Sequence, residues 1–145
     1  MGDRAALTRA AAVAAVLLAD YGDEVNAWAV DLRSRPNCQT GAVVSFQLGH
    51  VPAWDWEACL VALARSAVAL GFSEVELVPQ GDYVRVVAVG EVSTSAGAAR
   101  VEVWDHLTGD AVRSAADRLQ IVLDRDAGPV TVPVAHLLQT FAVMA

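Results

Sequence analysis

Two tryptophans, a histidine and two carboxylates crowd the segment Gly49-His50-Val51-Pro52-Ala53-Trp54-Asp55-Trp56-Glu57. A tryptophan beside charged groups is how an interface anchor or a ligand shelf is built. If the segment opens a helix, Trp54 and Trp56 point about 200° apart by the 3.6-residue period, so both cannot enter one core. Trp56 then belongs inside, and His50, Trp54 and Asp55 become candidates for binding. Asp55 and Glu57 also suit a helix N-terminus electrostatically. Chemically, His50 with Asp55 or Glu57 supplies the acid–base pair of a small hydrolase. The spacing matches no metal-ligand pattern. His106 and His136 lie far along the chain, and no metal or cofactor is expected.

Cys38 is the other reactive group. Arg33 and Arg35 stand nearby in sequence, and neighbouring cations favour the nucleophilic thiolate. A thiol enzyme also needs a base within about 3 Å, and none is local. The chain has no nucleophile-elbow serine, phosphate-binding glycine loop or dinucleotide fingerprint. Gly90, inside an apolar run, marks a bulge or a close approach of another group to the backbone.

The elements that must position these residues follow from periodicity and punctuation. An alanine-rich helix spans about 3–20, with Leu7, Ala11, Ala14 and Leu18 on one stripe. Val13 and Leu17 fall off that stripe, and from residue 10 no face of the helix is polar. Such a helix calls for cover on several sides, which makes Val13 and Leu17 interface candidates too. A hairpin over 26–33 and 42–48 turns through Pro36, Asn37 and Gly41. A second helix over 53–70 buries Trp56, Leu60, Leu63, Ala67 and Leu70, with Arg65 and Ser66 turned away, and stops at Gly71. Three antiparallel strands follow. The first, 74–78, alternates Val75 and Leu77 against Glu74 and Glu76; the second, 83–92, is apolar on both faces and therefore central; the third, 99–105, sets Val101 and Val103 opposite Arg100, Glu102 and Trp104. Residues 108–124 read either as a helix opening at Asp110 or as a hairpin, with the helix preferred. A short strand at 130–134 and a terminal helix ending at Phe141 close the chain. The expected order is α-β-β-α-β-β-β-α-β-α. The fold class is α+β, an antiparallel sheet of about four to six strands with helices packed mainly on one face. One domain covers 1–145, with the N-terminal helix at 1–22, the hairpin, helix and meander at 26–105, and a tail at 106–145.

Composition narrows the function classes. The chain is 55 % hydrophobic and 19 % charged, with a net charge of −7 and no lysine. That balance opposes phosphate backbones and anionic membranes, so neither nucleic acid nor a membrane is an expected partner. Two cysteines make no disulfide framework, which favours a cytoplasmic setting. Arg4 and Arg9 before the apolar run 10–19 imitate a signal peptide, but acidic residues follow, and an N-terminal helix is the better description. Abundant alanine and valine with a single isoleucine, Ile121, fit a G+C-rich bacterial or phage gene. A helix without a polar face, an apolar central strand and surplus tryptophan point to a non-catalytic protein-interaction module that forms a homodimer. The alternatives are the small hydrolase or thiol enzyme above, and an acidic inhibitor or immunity-type binder of a basic protein.

Overall fold

The computed structural model describes residues 2–37, 39–49, 55–124 and 126–142. Among the described residues, four helices and six strands follow one another in the expected order. They are α1 (Gly2–Tyr21), β1 (Ala29–Ser34), β2 (Ala42–Gln47), α2 (Trp56–Ala69), β3 (Glu74–Gln80), β4 (Tyr83–Thr94), β5 (Gly97–Thr108), α3 (Asp110–Leu119), β6 (Val130–Pro133) and α4 (Val134–Phe141). The strands make one sheet in the order β1-β2-β5-β4-β3-β6. The β1–β2 hairpin and the β3–β4–β5 meander are antiparallel, as their turns require. One ladder departs from the expectation of an antiparallel sheet. β2 pairs with β5 in parallel, Val44 against Val101 and Phe46 against Val103, and the sheet is mixed. The sequence between them, α2 and two strands, supplies the long crossover that a parallel pair needs.

Period-two alternation sets the two faces. Val44 and Phe46 on β2, Val75 and Leu77 on β3, Val84, Val86 and Ala88 on β4, and Val101, Val103 and Leu107 on β5 join the buried side chains of the helices in one core. By register these residues share one face of the sheet. Gly90 sits on that face because Phe72 lies against it: a Cβ there would stand 2.6 Å from the phenyl ring. The close approach expected at Gly90 is therefore an aromatic ring over bare backbone.

Two phases along the helices differ from expectation. In α1 the buried stripe is Ala6, Ala10, Val13, Ala14 and Leu17, while Leu7 and Leu18 are each 40 % exposed. From residue 10 the alanine-rich helix is apolar all round, and that stretch carries no phase information of its own. Arg9 supplies it, since its guanidinium donates to the carbonyls of Ala98 (3.1 Å) and Thr40. On α2, Ser66 is buried and not turned away. Its hydroxyl lies 2.9 Å from the carbonyls of Glu24 and Ala62, which satisfies it inside the core. The helix alternative holds for α3, which stops at Leu119 because Gln120 adopts a left-handed φ of 58°. Among the described residues no helix is long and apolar enough to cross a membrane.

Candidate binding face

Side chains at the alternate positions of the strands point away from that core. On β5 these are Arg100, Glu102, Trp104 and His106; on β4, Tyr83, Arg85, Val87 and Val89; on β2, Val43, Ser45 and Gln47; on β1, Asp31 and Arg33. On this face lies an open concavity of about 610 Å³, within the roughly 300–1,000 Å³ of ligand sites. Its lining runs from Asp31, Arg33 and Arg35 across Ser45, Glu102 and Trp104 to Arg85 and Tyr83.

Charge is concentrated at the centre. Arg33 Nη2 and Arg85 Nη2 stand 3.5 Å and 3.6 Å from the same atom, Glu102 Oε1. The two guanidiniums come from strands that are not neighbours, with β2 and β5 between them. Glu102 is largely buried, with 13 % of its side chain exposed, whereas Asp31, 2.8 Å from Arg33 Nε, is 65 % exposed. Separations of 3.5 Å and more exceed the 2.7–2.9 Å typical of charge-assisted hydrogen bonds. Among the described residues the Arg85 guanidinium makes no shorter polar contact; it lies 5.1 Å from the Trp104 ring centroid. Its N–H donors remain available for a ligand, and the indole holds the cation in place by cation–π attraction. Tyr83 packs edge-on to His106 and donates its hydroxyl to Gln80 Oε1 at 2.8 Å. The Ser45 hydroxyl is buried, with no hydrogen-bond partner among the described residues.

No protein-family model, curated protein or solved structure matches this chain.

The residues singled out from the sequence have different fates. His50, Trp54 and Cys38 lie outside the described residues. Asp55 precedes α2, half-buried, with no side-chain capping hydrogen bond. Trp56 meets Phe141 edge-on at 5.5 Å, and Glu57 pairs with Arg118 at 2.6 Å; Arg118 also covers Phe141 and donates to the Thr140 carbonyl. These contacts tie α2 to α3 and α4, and they give Glu57 a structural task. Val13 and Leu17 are interior residues of the chain's own core, packed under α1. Among the described residues, Asp55, Trp56, Glu57, Val13 and Leu17 do not line the concavity on the sheet.

Cys59, by contrast, is a buried free thiol, as its apolar neighbours imply. Burial, the negative charge of Asp105 and a hydrogen bond to that carboxylate push its pKa up from 9.0 to about 12. A thiol held protonated in this way is a poor nucleophile. Among the described residues no group of three or more histidine, cysteine or carboxylate side chains could hold a metal.

Proposed function

We propose that this chain is a non-catalytic protein-interaction module whose open sheet face holds an acidic segment of a partner polypeptide. The observation that carries it is the convergence of Arg33 and Arg85 on Glu102, beside Trp104. Three arginines line the concavity against two carboxylates, an inversion of sign within a chain of net charge −7. A partner carboxylate can take the fork of N–H donors that Glu102 meets only at long range. Arginine, tryptophan and tyrosine are also the side chains that dominate binding energy at protein interfaces. The sign of the site argues against using it to grip a basic protein. A cytoplasmic setting accords with the unpaired Cys59 thiol.

Fluorescence anisotropy with labelled twelve-residue peptides tests this. Glutamate-rich peptides bind, arginine-rich peptides of equal length do not, and affinity falls as salt screens the charges. Arg85→Ala weakens binding by tenfold or more, equivalent to about 1.4 kcal/mol. Equal binding by both peptide classes, or an Arg33→Ala/Arg85→Ala protein that still binds normally, discards the proposal.

A further inference from the structure

The two edges of the sheet are built differently. β6 is four residues long and closes on Pro133, which has no N–H to offer, so that edge is guarded. β1 is a regular six-residue strand whose register with β2 is unbroken from Ala29 to Ser34. Beyond it, Arg35 donates its backbone N–H to Gly41 at 2.9 Å, which fixes the phase of the strand. Asp31 and Arg33 therefore turn their backbone groups toward β2, and Val30 and Leu32 turn theirs out of the sheet. At this edge Trp28 is 64 % exposed and Val30 41 %.

We propose that β1 pairs with β1 of a second copy, antiparallel about a two-fold axis at Leu32, joining two six-stranded sheets into one. Charge selects this register. In a two-fold pairing each position faces its counterpart reciprocally, and outward backbone groups must meet outward groups. Centring on Asp31 sets Asp31 against the partner's Asp31, and centring on Arg33 sets Arg33 against the partner's Arg33. Centring on Leu32 sets Asp31 against the partner's Arg33 twice, with Cβ atoms about 4.5–5.5 Å apart. Of the registers centred on Asp31, Leu32 and Arg33, the one at Leu32 alone sets opposite charges across the axis, and it also aligns Val30 with the partner's Ser34. α1 packs on β1, so the axis brings two α1 helices side by side on one face of the joined sheet. The concavity begins on β1 with Ala29, Asp31 and Arg33, so the two binding faces run together across the axis.

The association rests on the strand edge and is measured without any ligand, although Asp31 and Arg33 belong to both surfaces. Sedimentation equilibrium on the full chain, on Asp31→Arg and on Arg33→Asp decides it. The unaltered chain sediments at twice 15.2 kDa. Each variant alone makes both cross-strand pairs like-charged and raises the dissociation constant about tenfold or more. An equimolar mixture of the two variants pairs opposite charges again and regains the dimer. Far-UV circular dichroism confirms that each variant folds, as expected for exposed positions. A 15.2 kDa species at high micromolar concentration overturns the proposal. So does a dimer indifferent to either reversal, or a mixture that stays dissociated.

Discussion

At the scale of single residues, environment and not residue type separates reactive groups from inert ones. Cys59 is a free thiol, yet desolvation and the adjacent Asp105 hold its proton up to about 12. Between the ordinary value of 9.0 and about 12 the folded chain binds a proton that the unfolded chain has released. Stability from this group is therefore fully present below about pH 9 and is lost as pH rises toward 12. Urea midpoints measured at pH 7 and pH 10.5 should show the decline, and Cys59→Ala should reduce it; an unchanged slope refutes the assignment. Native Cys59 should also resist alkylation at pH 8. Gly90 is the second residue with a sharp consequence. A methyl group at that position meets Phe72 at under 3 Å, so Gly90→Ala should cost about 1–3 kcal/mol by overpacking. Thermal melts of Gly90→Ala alone and with Phe72→Ala test this, since removing the ring should recover part of the loss.

At the scale of elements, the phase of α1 is the feature most open to test. Leu17 and Leu18 are neighbours in sequence with opposite surroundings, one in the core and the other 40 % exposed. Leu17→Ala should lower unfolding free energy by about 2–5 kcal/mol, as for other core leucines. Leu18→Ala should stay within about 0.5 kcal/mol, as for a surface site. Similar losses at both positions would show a different helix phase. The first turn of α2 shows a related effect. Trp56 and Glu57 stand in a stretch that looks like a site when read along the chain, and these two contact Phe141 and Arg118 and link three helices. The Glu57–Arg118 pair is exposed on both sides, so its energetic weight is small, and the aromatic contact matters more.

At the scale of the whole molecule, a single core runs beneath β2 and β5 and links the N-terminal hairpin to the meander. Phe46, fully buried on β2, packs in that core from the hairpin side. Unfolding should therefore be one cooperative event, with far-UV circular dichroism and tryptophan fluorescence giving coincident urea transitions. Phe46→Ala should shift both together, by about 3–5 kcal/mol. Separate transitions would mean that the parallel seam joins two independently folding parts.

Much of the fold was legible in the residues themselves. Element order, the antiparallel meander and the outward placement of Arg100, Glu102 and Trp104 all follow from local periodicity and turn chemistry, which act over a few residues. Periodicity failed at α1, where no face is polar from residue 10 onward, and at Ser66, whose partner carbonyl on Glu24 is distant in sequence. Tertiary structure decided the parallel β2–β5 pairing, and with it the candidate site. Arg33 and Arg85 lie far apart in the chain and on strands that do not touch, so no spacing rule could bring them to one carboxylate. Short-range physics shapes each strand, whereas strand order depends on which apolar faces can be covered together, a property of the whole chain.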